Sequence, residues 1–168
     1  SEIYDNLRGS LVMGVVKLRN AEKSDAAMIA DIWVRSIQTL CAPYYTEAQV
    51  VSWTKNKTPE KILEWITQSP FFMVAEMNDK ITGFVSCSDF QKIQAALYVA
   101  PESTGKGVGR QLLSAYEKAA QEHGLKTLHI HATVNGAAFY EKCGYGRIEE
   151  YALADGRRIV HVKKKLQE

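Results

Sequence analysis

The chain has 168 residues, 46% of them hydrophobic and 24% charged, the composition of an ordinary globular protein long enough for one domain with a real core. Lys plus Arg number 21 against 19 Asp plus Glu, a formal net charge of +2, which leaves no electrostatic footprint for nucleic acid or an anionic membrane surface. No apolar run approaches the roughly 18 residues a spanning helix needs, no signal-peptide pattern opens the chain, and the 3 cysteines, Cys41, Cys87 and Cys143, are too scattered for a disulfide framework or a Cys-rich zinc site, so the expected setting is the reducing cytoplasm.

Residues 1–12 show no period and read as a tag or disordered extension, with Met13 as a native start and residues 13–168 as a single domain. Residues 15–18 read as a strand. Ser24-Asp25 offers a helix N-cap, and Ile29, Ile32, Trp33, Ile37 and Leu40 follow at helical spacing. Thr46 with Gln49 makes a capping-box pattern that opens a second short helix through Trp53. Thr58-Pro59 repeats the signal, a cap and then Pro at the first helical position, ahead of Ile62, Leu63 and Ile66. Residues 71–76 and 81–86 read as a hairpin around Asn78-Asp79-Lys80, and residues 93–99 as a further strand that Pro101 stops. Val108, Leu112, Ala115, Tyr116 and Ala119 give the next helix one apolar stripe, with Gly124 as its stop. Residues 127–132 form a strand, Asn135 opens a short helix ending near Gly144, and residues 147–153 and 157–162 close the chain as a hairpin around Asp155-Gly156. The order predicts an α/β domain of the α+β type, with a mixed, mostly antiparallel sheet of about six to seven strands and about four to five helices.

The most informative stretch is residues 97–113, which runs strand, glycine loop, helix. Gly105, Gly107 and Gly109 let backbone N–H groups approach a ligand, the helix N-terminus adds unpaired donors and a positive dipole end, and Lys106 and Arg110 add charge. A pyrophosphate is the natural guest. A Walker A loop fails, because Lys106 is followed by Gly107 and Ala100 stands where the first Gly belongs. The dinucleotide fingerprint fails as well, because Arg110 takes the third Gly position.

The same stretch resembles motif A of the GNAT superfamily of acetyl-CoA-dependent N-acyltransferases: Val99, Pro101, Gly107 and Gly109 match, while Thr104 stands at the usual Gln/Arg position. The order of elements resembles that family over nearly the whole chain. Residues 135–145 resemble its motif B through Asn135, Ala138, Phe139, Tyr140 and the Gly144-Tyr145 end, with one residue fewer between Asn135 and Tyr140. The resemblance implies a GNAT fold and acetyl-CoA as co-substrate, with no metal. Leu97, Tyr98 and Val99 would pair with the pantetheine arm, Thr104, Gly105, Lys106, Gly107, Val108, Gly109 and Arg110 would hold the pyrophosphate, and Asn135 and Phe139 would flank the arm. Tyr140 would protonate the departing thiolate, and a backbone N–H freed by a bulge at Tyr98 or Val99 would receive the oxyanion.

Family members often place an acidic base on the fourth strand, and residues 93–99 contain none. Asp89, Glu76, Tyr44 and Tyr45 stay open as candidates, as does a water chain. His129 and His131 share one sheet face, where H-x-H reads more simply as a satisfied pair than as a metal site. Tyr44 and Tyr45, just before the Thr46 cap, are expected to line the acceptor site with Asp89, so that Tyr45→Ala raises the acceptor KM. The implied function is transfer of an acetyl group to a primary amine, a small molecule rather than nucleic acid or membrane, by direct transfer in a ternary complex. A non-catalytic acyl-CoA-binding module and a transferase using another acyl-CoA are the alternatives. A homodimer is common in the family and is left open.

Overall fold

The structure, a computed structural model, describes residues 15–93 and 95–167. The reading of residues 1–12 lies outside the described residues. Strand β1 (Lys17–Asn20) and a short 3₁₀ turn lead into helix α1 (Ala26–Ser36), which continues through a π-helical turn (Ile37–Cys41). Helices α2 (Glu47–Thr54) and α3 (Pro59–Gln68) follow, then β2 (Phe71–Met77), β3 (Lys80–Cys87) and β4 (Ala95–Val99). Helix α4 (Val108–Glu122), β5 (Thr127–Thr133), α5 (Ala137–Lys142), β6 (Gly146–Ala152) and β7 (Arg158–Lys165) complete the chain.

Local chemistry sets most of these boundaries. Thr46 Oγ1 accepts from the Gln49 N–H at 3.1 Å while Gln49 Oε1 accepts from the Thr46 N–H at 3.0 Å, a reciprocal cap that starts α2. Thr58 Oγ1 accepts from the Lys61 N–H at 3.2 Å at the start of α3. Asn78 and Asp79 both take positive φ, 53° and 62°, as a two-residue hairpin turn demands. Two expectations shift. Asp25 does not cap α1 with its side chain; it accepts from the Glu22 N–H at 2.7 Å and is buried against Arg19 at 2.7 and 3.0 Å. Leu63 points outward, 39% exposed, while Ile62 alone of α3 is buried.

The strands make two antiparallel sheets, β1-β2-β3-β4 and β5-β7-β6, rather than the one sheet expected. Apolar cores lie on both faces. On one side α4 and α5 pack through Val108, Leu112, Tyr116 and Tyr140 against β2, β3 and β5. On the other, α1, α2 and α3 pack through Ile29, Ile32, Trp33, Val50, Trp53 and Ile62 against Val74 and Phe84. β4 and β5 alternate between the two. Leu97 and Val99 of β4, with Leu128, Ile130 and Ala132 of β5, face α4, while Ala96 and Tyr98 face α1. The period of two therefore turns His129, His131 and Thr133 to the α1 face as well.

β4 and β5 are not hydrogen-bonded neighbours, so β4 presents an open edge. The Ala100 N–H to Thr82 C=O bond, 2.8 Å, sets the phase of the ladder. With Gly83 opposite Val99 and Phe84 opposite Tyr98, Tyr98 spends its N–H and C=O on β3, and Leu97 and Val99 turn theirs to the edge. No register shift interrupts this pairing. The expected bulge is thus absent from the described part of β4, and an exposed amide arises from edge position alone. Val99 is further fixed by Ser36, whose hydroxyl donates to its carbonyl at 2.8 Å.

Candidate active site

A cleft of about 750 Å³ is lined by both β4 and β5 and closed at its ends by the glycine loop and the segment after α1. On the α4 side its wall is the loop itself. Gly105 and Gly107 have φ of 77° and 83°, and a Cβ at either would meet nothing within 4 Å, so bare backbone faces open space there. The N–H groups of Val108, Gly109 and Arg110 belong to the first turn of a 15-residue helix and have no partner within it. Gly109 serves close packing instead: a Cβ there would meet the Phe139 ring at 3.3 Å. A short 3₁₀ turn, Pro101–Ser103, delivers the chain from β4 into this loop.

At the far end of β5 the chain turns through Thr133, whose Oγ1 accepts from the Gly136 N–H at 3.0 Å. Gly136 is the N-cap of α5, so Asn135 precedes the helix rather than opening it. Asn135 lines the cleft, and its Oδ1 is buried without a hydrogen-bond partner among the described residues. Its side chain also lies against the Cys41 thiol, which burial pushes upward in pKa. Tyr140 lines the same cleft at 8% exposure and is packed edge-on by Phe139 and Tyr145, with ring centroids 5.1 and 5.6 Å away. Burial raises its phenol well above the usual tyrosine value, so it holds its proton throughout the neutral range.

The cleft gathers most of the residues read from the sequence: Tyr44, Leu97, Tyr98, Val99, Thr104, Gly105, Gly107, Val108, Gly109, Arg110, Asn135, Phe139 and Tyr140. Thr104 is exposed, and its hydroxyl is tied back into its own turn, donating to the Pro101 carbonyl at 3.1 Å. Lys106 lies elsewhere, along a charged groove with Arg19, Asp25, Arg35 and Glu102. Asp89 caps its own turn, accepting from the Gln91 N–H at 2.9 Å, and does not line the cleft. Glu76 is tied to Arg19 at 2.6 Å in that same charged groove.

Tyr45 also falls outside the cleft lining. Its ring stands edge-on to Trp53, and its hydroxyl accepts from the Val134 N–H at 3.0 Å and donates to the Arg158 carbonyl at 2.7 Å, clamping the exit of β5 to the start of β7. Tyr45→Phe is therefore expected to lower stability by about 1 kcal/mol, read as a lower denaturation midpoint at unchanged slope, instead of raising an acceptor KM. Sequence reasoning placed Trp33, Leu40 and Cys41 only on the inner face of α1 or in the loop after it; the π turn brings Leu40 and Cys41 to the cleft beside Trp33.

The strand-loop-helix cradle, the buried Tyr140 and the split between β4 and β5 agree with a family model described as an acetyltransferase (GNAT) domain, which matches residues 41–166. The chain belongs to the GNAT acetyltransferase family. Among solved structures it is similar to a GCN5-related N-acetyltransferase from Rhodopseudomonas palustris, with a TM-score of 0.83 and 30% identity over 92% of this chain and 98% of that one. The PaiA N-acetyltransferase of Thermoplasma acidophilum, solved with coenzyme A, shares the fold at a TM-score of 0.74 and 22% identity over 90% and 99% of the two chains. A spermidine N(1)-acetyltransferase of Thermoplasma acidophilum is 26% identical over 160 residues, 89% of this chain and 97% of that protein. Membership makes this GNAT protein an acyltransferase of the N-acetyltransferase class. Among its described residues no helix is long and apolar enough to cross a membrane, and no group of three His, Cys, Asp or Glu is arranged to hold a metal ion.

Proposed function

We propose that this GNAT protein moves the acetyl group of acetyl-CoA to the primary amine of a small molecule by direct transfer in a ternary complex. The observation that carries the reading is the open edge of β4, running straight into a bare-backbone loop at a helix N-terminus. The N–H groups at residues 107–110 suit a pyrophosphate, with Arg110 as counter-charge. The outward N–H and C=O groups of Leu97 suit the amides of a pantetheine arm, as an added strand would use them, which leaves the Val99 N–H free. The partnerless Asn135 Oδ1 suits an N–H on the same arm.

Bound acetyl-CoA supplies an activated thioester carbonyl. The Val99 N–H, at the open edge, offers a fixed donor for an oxyanion. Tyr140, neutral and buried, gives up a proton where a thiolate departs. The acceptor enters from the α1 face, walled by Trp33, Leu40, Cys41, Tyr44 and Tyr98. No Asp or Glu lines the cleft among the described residues. That supports an apolar monoamine over a polycation such as the polyamine named for the Thermoplasma relative. Thiol release from acetyl-CoA, measured with a panel of monoamines and polyamines, tests this. The reading requires release with monoamines above the background hydrolysis rate; release confined to polyamines overturns the acceptor class.

A further inference from the structure

β5 alternates between the two faces of its sheet, and its polar face carries His129 and His131 toward the α1 side of the cleft. His131 lines the cleft, as do Tyr98 and Tyr140. Among the described lining residues, His131 is the sole side chain whose ordinary titration falls near neutrality. The Tyr151 hydroxyl lies 2.9 Å from its Nε2 and 3.2 Å from its Nδ1, within reach of either ring nitrogen. Behind it, in the register of β5 and β7, stands His161, whose ring is nearly perpendicular to that of His131 at a centroid distance of 5.4 Å. His161 Nε2 lies 2.9 Å from His129 Nδ1, and His161 Nδ1 lies 3.8 Å from the exposed Glu149 carboxylate.

We propose that His131 is the base that takes the proton from the acceptor amine, with Tyr151 orienting its ring and His161 and Glu149 forming the proton's way out to solvent. The inference rests on the acetyl transfer proposed above. In that reaction an ammonium R–NH3+ loses two protons as its nitrogen–carbon bond forms and the carbon–sulfur bond breaks. One proton reaches the departing thiolate by way of Tyr140. The other goes to the imidazole of His131, and the net yield is amide, free thiol and one proton in solvent.

The surroundings keep His131 in the form the step needs. Burial holds its pKa below the ordinary histidine value, the neighbouring His161 pushes the same way, Glu149 pulls upward, and His129 adds a smaller downward push. Cys41 and Tyr44 beyond α1, Tyr98 on β4, Tyr140 on α5, Tyr151 on β6 and Arg157 ahead of β7, whose charge reaches Cys41 and Tyr98, are the other titratable groups near this part of the cleft. His131 is therefore neutral at pH 7, and the amine-dependent rate is lost as pH falls through its depressed pKa.

Two probe nucleophiles separate this step from acetyl transfer itself: ethylamine, a cation at pH 7, and hydroxylamine, which is neutral there. In His131→Gln the kcat for ethylamine is expected to drop by about 10²–10⁴-fold, while the rate with hydroxylamine and the Kd for acetyl-CoA stay within about twofold. In the wild type, the acidic limb of kcat for ethylamine is expected to coincide with the His131 ring titration followed by NMR, a readout that does not depend on the variant folding. An unchanged ethylamine-to-hydroxylamine ratio in His131→Gln overturns the proposal. So does an acidic limb displaced from the His131 titration, or a wild type that acetylates hydroxylamine but not ethylamine. A protein that releases thiol with neither probe overturns the small-monoamine reading of the acceptor, and this proposal with it.

Discussion

Tyr140→Phe lowers kcat by about 10²–10⁴-fold and leaves the Kd for acetyl-CoA within about twofold, the range general acid catalysis commands. The substitution removes one oxygen from a ring held at 8% exposure between Phe139 and Tyr145, so the packing of α5 survives. What it removes chemically is the one acidic proton on α5 that faces the cleft. Burial keeps that proton in place well above the usual tyrosine pKa, so loss of the acid form limits the wild-type rate only at strongly alkaline pH. Stopped-flow thiol release at saturating acetyl-CoA checks the rate, and calorimetric titration checks the affinity. An unchanged kcat makes Tyr140 a packing residue.

Gly107→Val is expected to weaken acetyl-CoA binding by at least about tenfold, roughly 1.4 kcal/mol of binding free energy. Gly107 is the N-cap of α4 with φ of 83°, a conformation that a β-branched residue adopts only under strain. That strain lowers the protein's own stability by about 1–3 kcal/mol. The new side chain meets no protein atom, because a Cβ there points into open space. Its effect on affinity therefore comes from filling the place proposed for the pyrophosphate. Gly124→Val separates the two terms: Gly124 has φ of 84° and open space around its Cβ, but ends α4 away from the cleft. It is expected to lose similar stability while binding acetyl-CoA normally. Equal affinity in both variants contradicts the placement of the ligand.

Local signals were the legible part of the fold. Thr46 with Gln49, Thr58 with Pro59, and the Asn78-Asp79 turn each act within three or four residues, and each stands where its own chemistry puts it. The glycine loop was legible for the same reason, since the positive φ at Gly105 and Gly107 is a property of the residues themselves. Long-range placement was not. Tyr45 is adjacent to Tyr44 in sequence, yet one side chain stands 58% exposed at the cleft and the other bridges Val134 and Arg158. Lys106 sits among the loop glycines, but its side chain lies along the groove of Arg19 and Glu102. The contact of His129 with His161 joins residues 32 apart and depends on the β5–β7 register, which no local period encodes. The division into two sheets follows from β5 pairing with β7 and leaving β4 alone, a choice among strands that spacing does not reveal.

The most direct measurement of the central claim is the melting temperature with and without acetyl-CoA. At a ligand concentration about 100 times Kd, binding adds about 2.7 kcal/mol, which raises Tm by roughly 5–10 °C in a chain of this size. A shift of that order, reduced in Gly107→Val and retained in Gly124→Val, is the result expected of the cradle described here. An unchanged Tm at millimolar acetyl-CoA would contradict it, and with it the assignment of the glycine loop and the β4 edge to that co-substrate.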